Sequence, residues 1–141
     1  MVVVLCPGIH SPQLSQGFLA SLAQSQTQDL FNNWLVFPAT EYPPYSPLAV
    51  LTFLKKNVTL ENEVLFISFS AGVVGAMGAA LLWQMQGGKV KAFIAIDGWG
   101  MALWGNFPIY RVSHDYFTHW SSALQGKMFR SGFLESYIKT I

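Results

Sequence analysis

The uncharged segment from Val64 to Met85 constrains the fold of this chain more than any other feature. A helix that spans a bilayer needs roughly 20 apolar residues, so the segment is long enough to cross a membrane. However, Ser70-Ala71-Gly72 divides it into a strand-like half and a helix-like half. A buried strand followed by a buried helix has the same hydropathy, and we expect this second arrangement.

The rest of the chain alternates in the same way between short apolar runs and helical periodicities. Strands are predicted over Val2–Cys6, Trp34–Phe37, Val64–Phe69, Val90–Ile96 and Ile109–Ser113. Helices are predicted over 13–25, 47–56, 71–86, 116–125 and 128–139. The alternation predicts an α/β fold: a three-layer sandwich with a mainly parallel central sheet of about five strands. No linker divides the sequence, so residues 1–141 are expected to form a single domain.

Composition argues against several classes of function. The formal net charge is +1 and only 11% of residues are charged, so no electrostatic footprint for nucleic acid is visible. The single cysteine, Cys6, permits neither an internal disulfide nor a zinc-type Cys/His spacing, which favours a reducing compartment. The first residues also lack the basic region of a signal peptide. We therefore expect a cytoplasmic protein without a membrane span, metal or cofactor, and the 52% hydrophobic content is compatible with a homodimer.

The break at Ser70 is the candidate functional site. Functional groups in a parallel α/β sheet collect where strands end and helices begin. A nucleophile on such a sharp turn needs small neighbours, and Ser68 and Gly72 supply them on either side. The N-terminus of the following helix favours a developing oxyanion, for which the Ala71 N–H is a candidate donor.

The residues from Phe66 to Gly72 resemble the nucleophile elbow of the α/β hydrolases, with Ser68 in the place of the first glycine. The segment Val2-Val3-Val4-Leu5-Cys6-Pro7-Gly8-Ile9-His10 resembles the strand and oxyanion loop that open the core of the same family. The element order agrees with the family from residue 1 to about residue 115. The resemblance implies a serine hydrolase of the esterase or lipase type, with Ser70 as nucleophile. It also implies an oxyanion hole formed by the backbone of Ile9 and Ala71, with His10 shaping the loop.

A serine nucleophile needs a histidine base and a carboxylate that orients the histidine. His114 follows the last predicted strand and is the first candidate for the base, with His119 as the alternative. Asp97 ends the strand after the nucleophile helix and is the first candidate for the acid, with Asp115 as the alternative. The order Ser70, Asp97, His114 matches the Ser…Asp…His order of the family.

The expected substrate is a small molecule: an ester or thioester of a small or apolar acyl group. Aromatic residues surround the candidate acid and base, where they could line an acyl pocket. The same residues could instead belong to the core or to a dimer surface. They are Trp99, Trp104, Phe107, Tyr110, Tyr116, Phe117 and Trp120.

Other interpretations stay open. The family usually supplies its histidine from a loop after a further strand, whereas no histidine follows His119 here. The main alternative is therefore a catalytically incomplete hydrolase-like domain that binds a small ligand or a protein partner. Ser70 could instead only cap the following helix, and Asp97-Gly98 could be only a turn. Finally, Ser70-x-Gly72-x-x-Gly75 imitates the dinucleotide-binding fingerprint of a Rossmann-like domain, with Asp97 as the acid that binds ribose.

Overall fold

The computed structural model describes residues 1–9, 17, 33–98 and 101–112. Within this part of the chain, five strands form one parallel sheet in the order β2-β1-β3-β4-β5. The strands are β1 (Val2–Cys6), β2 (Trp34–Val36), β3 (Glu63–Phe69), β4 (Lys89–Ile96) and β5 (Ile109–Val112). The helices are α1 (Pro47–Asn57) and α2 (Gly72–Met85). The protein is therefore of the α/β class, as the alternation of its elements predicted.

The predicted strands, and the predicted helices over 47–56 and 71–86, are confirmed, and their described ends differ from the prediction by at most one residue. The predicted end of the fifth strand, Ser113, lies outside the described residues. The uncharged segment divides, as expected, into β3, a turn and α2. Among the described residues, no helix is both long and apolar enough to cross a bilayer. The predicted helices over 116–125 and 128–139 lie outside the described residues. Of the predicted helix over 13–25, only Gly17 is described, and its backbone is helical.

Helix α1 begins where its sequence provides a cap. Ser46 has an extended backbone, and its hydroxyl accepts a hydrogen bond from the Ala49 N–H at 3.2 Å. Pro47 occupies the first turn, where its missing N–H is not needed. Lys55 and Lys56 lie in the last turn, where positive charge is stabilised by the helix dipole.

Both described helices pack on one face of the sheet. Val4 of β1 and Phe66 of β3 are paired neighbours and share a buried cluster with Trp83 of α2. The residues that face the other way, such as Leu5 and Ile67, are equally buried. Water is thus excluded from both faces of the central strands, which explains why their sequences are continuously apolar.

The connection from β4 to β5 packs on the same face as the helices. Met101, Leu103 and Phe107 contact the buried cluster, and the ring of Phe107 lies 6.4 Å from that of Phe93 between centroids. Over residues 101–108 this connection contains no helix. An irregular loop therefore follows β4 and covers part of the sheet.

The strand order determines where a ligand can bind. The chain passes from β1 to β2 on one side and then to β3, β4 and β5 on the other. In parallel sheets with this order, ligands bind at the carboxyl ends of the strands where the order reverses, here between β1 and β3. The loop after β1 and the turn at Ser70 both lie at this point.

Candidate active site

Ser70 forms the turn between β3 and α2, and its backbone is in the left-handed region, with φ of 50°. A residue other than glycine pays of order 1–3 kcal/mol for such strain, which the surrounding structure must offset. The Ser70 N–H donates to the carbonyl of Ile96 at 2.9 Å, and the Ser70 carbonyl accepts from the Val73 N–H at 3.1 Å. The backbone is therefore held on both sides of the turn.

The side chain of Ser70 does not cap α2. The N-cap residue is Ala71, and no side chain makes a capping hydrogen bond. Within the described part of the chain, the partly exposed Ser70 hydroxyl makes no hydrogen bond. The capping interpretation is therefore wrong, and this hydroxyl can meet a base or a substrate.

The loop after β1 packs directly against the Ser70 turn. A methyl group added to Gly8 would lie 3.0 Å from the Cβ of Ser70. A methyl group added to Gly72 would collide with the carbonyl oxygen of Cys6 and lie 2.7 Å from that of Pro7. Glycine at both positions lets the end of β1 and the start of α2 meet backbone to backbone.

The two backbone positions expected to form an oxyanion hole lie on these same packed segments. The Ala71 N–H makes no hydrogen bond to a described residue and lies at the positive end of the α2 dipole. The methyl position of Gly8 is 3.5 Å from the Ala71 nitrogen. Ile9 follows Gly8 directly, and its side chain is 57% exposed.

Ser68 lies at the position of the first glycine in the nucleophile elbow that this turn resembles. Its side chain is fully buried, and its hydroxyl donates to the carbonyl of Ile94 on β4 at 3.2 Å. A buried hydroxyl is tolerated when it has such a partner. Ser68 is thus a structural residue, and Ser70 is the serine of this turn that reaches solvent.

Asp97 lies beside Ser70 at the carboxyl edge of the sheet. Strands β3 and β4 pair as far as Phe69 and Ile96, and Ser70 and Asp97 are the next residues. Asp97 also has a positive φ, of 59°, and its N–H donates to the carbonyl of Val112 at 3.0 Å. Two neighbouring strands, about 4.8 Å apart, thus end in strained residues. One is the candidate nucleophile and the other is the candidate acid.

Comparison with protein-family models and with curated proteins found no match for this chain.

The candidate bases lie outside the described residues. The two candidate bases are His114 and His119. The other residues singled out from the sequence that also lie outside the described residues are His10, Asp115, Trp99, Tyr116, Phe117 and Trp120. The structure brings together Ser70, Ala71, Asp97 and the loop after β1. The assignment of the histidine stays a prediction.

The glycines of the dinucleotide-like spacing are occupied by the protein itself. In a dinucleotide fingerprint, the second glycine leaves room for the pyrophosphate. Here Gly72 faces the carbonyls of Cys6 and Pro7, and Gly75 faces the carbonyl of Pro44. Carbonyl oxygens repel phosphate, so this turn is poorly suited to binding a dinucleotide.

Cys6 does not compete with Ser70 as a nucleophile. Its side chain is completely buried, and burial raises the pKa of the Cys6 thiol to about 12. The thiol stays protonated near neutral pH, and only the thiolate is a good nucleophile. Within the described ranges, no group of three or more His, Cys, Asp or Glu side chains could hold a metal ion.

Sequence reasoning missed the part that Gly8 plays in the site. The resemblance places Pro7-Gly8 in the loop of the expected oxyanion hole, but it does not indicate that Gly8 itself packs against Ser70. The available signal was Gly72, since a glycine that opens a helix indicates a close approach by another segment.

Proposed function

We propose that this protein is a serine hydrolase with a three-layer, α/β-hydrolase-like fold, which cleaves an ester or thioester of a small or apolar acyl group. The observation that carries the proposal is the placement of Ser70. Its hydroxyl makes no hydrogen bond to a described residue, and it stands on a strained strand-to-helix turn. That turn lies at the point where the strand order of a parallel sheet reverses.

The proposed reaction passes through an acyl-enzyme. The Ser70 hydroxyl attacks the acyl carbonyl while a histidine takes its proton, and the N–H groups of Ile9 and Ala71 bind the oxyanion. The protonated histidine then gives its proton to the departing alcohol or thiol. Water hydrolyses the acyl-enzyme by the same steps. Asp97 orients the histidine and stabilises its charged form.

His114 is the proposed base, and the described chain supports this choice. Strand β5 ends at Val112 on the carboxyl edge, where the Val112 carbonyl accepts from the Asp97 N–H. His114 is two residues further along the sequence, and two residues span at most about 7 Å. The alternative pair, Asp115 and His119, follows the same strand end.

An apolar acyl group suits the distribution of side chains. Exposed apolar residues follow the carboxyl ends of the first three strands: Ile9, Tyr42, Tyr45 and Val74, with exposures between 40% and 57%. The described lysines lie at the opposite edge of the sheet, where α1 ends and β4 begins: Lys55, Lys56, Lys89 and Lys91. A hydrocarbon chain at the carboxyl edge would therefore meet no described lysine.

Burial supports the three-layer arrangement. The described helices cover one face of the sheet, and yet Leu5, Ile67 and Ile94 on the other face are at most 5% exposed. A sheet that is buried on both faces is the hallmark of a parallel sheet between two layers.

The proposal is tested by turnover of acyl thioesters and p-nitrophenyl esters. We expect the wild-type chain to hydrolyse them and Ser70→Ala to reduce kcat by at least about 1000-fold, as loss of a nucleophile does. Ser68→Ala is the matched control, because it removes a buried hydroxyl two residues before Ser70, at the end of β3. Equal turnover by wild type and a folded Ser70→Ala variant would contradict the proposal. A folded but inert wild type would instead favour a hydrolase-like domain that binds a ligand or a partner.

A further inference from the structure

Arg111 connects β5 to the loop that follows Asp97. It lies on β5, and its guanidinium donates a hydrogen bond to the carbonyl oxygen of Met101. Arg111 makes no ion pair with a carboxylate in the described part of the chain. Its charge is therefore directed to a backbone carbonyl in a solvent-exposed hydrogen bond. A charged donor makes such a bond stronger than one between neutral groups.

The residue next to Arg111 holds the start of the same loop. The Val112 carbonyl accepts from the Asp97 N–H at 3.0 Å, and the Met101 N–H donates to the Gly98 carbonyl at 3.1 Å. Two consecutive residues of β5 thus fix the backbone at Asp97 and at Met101. A strained residue persists only where its surroundings hold it, and this pair of contacts holds Asp97 in its left-handed conformation.

Arginine is well suited to this contact. Its rigid, planar guanidinium carries five N–H donors on a long stem, so it can reach a loop carbonyl and keep a fixed orientation. The other described cations cannot replace it. They are Lys55, Lys56, Lys89 and Lys91, which lie at the opposite end of the sheet.

We propose that Arg111 is a positioning residue for the hydrolytic reaction. It holds the loop through Met101 and thereby keeps the Asp97 carboxylate directed at the base, without contacting the substrate. This inference rests on the proposed function, in which Asp97 orients the histidine.

The first measurement is amide hydrogen exchange in the full chain, which does not depend on activity. We expect Arg111→Met to speed exchange at the Asp97 and Met101 amides by roughly tenfold, because a charged hydrogen bond that closes the loop is lost. Arg111→Lys should retain part of the wild-type protection of these two amides against exchange, because it keeps a positively charged donor. Lys91→Met is the control, because it removes a cation that pairs with Glu63 at 3.8 Å at the other end of the sheet. Unchanged exchange in Arg111→Met would overturn the inference.

The second measurement is the rate at which a fluorophosphonate modifies Ser70, determined as a function of pH. We expect Arg111→Met to slow modification by roughly tenfold, and to slow it no further when Asp97 is already replaced by Asn. Effects of Arg111→Met and Asp97→Asn that multiply would overturn the inference, since Arg111 would then act independently of Asp97. If the wild-type chain is not modified at all, the proposed function fails. Faster exchange in Arg111→Met would still support the loop contact in that case.

Discussion

At the scale of single residues, backbone strain distinguishes this site. Among the described residues other than glycine, positive φ occurs at Ser70 and at Asp97, and these two residues follow paired strands. Strained residues cluster where a side chain must be presented in a fixed direction. The strain therefore supports a functional assignment for both residues, independently of the elbow-like sequence.

Ser70→Gly should stabilise the protein while removing the proposed nucleophile. Glycine adopts positive φ without strain, so we expect the free energy of unfolding to rise by about 1 kcal/mol. Ser68→Gly is the matched control, because Ser68 is in an extended strand and donates a buried hydrogen bond. It should lower the free energy of unfolding by about 1–2 kcal/mol. Urea denaturation measures both, and a loss of stability in Ser70→Gly would refute the strain argument.

Burial of the Cys6 thiol should make the protein less stable at alkaline pH. The pKa of its thiol is 9.0 without burial and about 12 in the fold. Between these values the unfolded chain releases a proton that the native chain keeps, so stability is complete below pH 9 and decreases above it. We expect a loss of about 1.4 kcal/mol per pH unit between pH 9 and pH 12. Cys6→Ala should lack this component, and parallel pH profiles for the two proteins would contradict it.

At the scale of elements, the small residues of α2 allow other backbones to approach it. Gly72 meets the end of β1, Gly75 meets the carbonyl of Pro44, and Gly78 meets the side chain of Pro47. These glycines are three residues apart in the sequence, and this spacing places them on one side of a helix. The sequence does not show which segments pack on that side, since those contacts come from residues distant in the chain.

Gly72→Ala tests the contact between β1 and α2. The added methyl group would collide with backbone carbonyls, which cannot move without displacing β1, so we expect a loss of about 1–3 kcal/mol. Gly17→Ala is the control, because Gly17 has a helical backbone and no neighbouring atoms near the added methyl. Its stability should be unchanged or higher by up to about 1 kcal/mol. Thermal unfolding compares the two variants, and equal effects would contradict the packing described here.

The sequence predicted the elements better than it predicted the site. The cap at Ser46 and the turn at Ser70-Ala71-Gly72 are local signals, so the ends of α1 and the division of the uncharged segment followed from them. The placement of Asp97 beside Ser70 depends on the pairing of β3 with β4, which involves residues far apart in the chain. The strain at both residues is likewise set by those neighbours. A sequence pattern does not contain such long-range information.

At the scale of the whole molecule, the two ends of the sheet differ in polarity. The carboxyl edge carries the candidate nucleophile and exposed apolar side chains such as Ile9 and Val74. The amino edge carries charged residues, including the ion pair between Lys91 and Glu63. The described lysines are thus confined to the amino edge, and their absence from the carboxyl edge is compatible with the proposed apolar substrate there.

Val74→Ser tests which end of the molecule binds the acyl group. Val74 lies in the first turn of α2, close in sequence to Ser70, and is 40% exposed. We expect kcat/KM for an octanoyl ester to fall about 3- to 10-fold, with little change for an acetyl ester, because apolar contact is lost. Met85 lies at the far end of the same helix and is 81% exposed, and Met85→Ser should leave kcat/KM unchanged for both esters. An equal loss for both esters, or an effect of Met85→Ser, would contradict the proposed orientation.

The central claim is that Ser70 is a nucleophile, and covalent labelling tests it most directly. The full-length chain is treated with a fluorophosphonate, and the modified residue is located by mass spectrometry of its peptides. We predict a single adduct on Ser70, absent from Ser70→Ala and retained in Ser68→Ala. A folded wild-type protein that forms no adduct, or an adduct that persists in Ser70→Ala, would contradict the account.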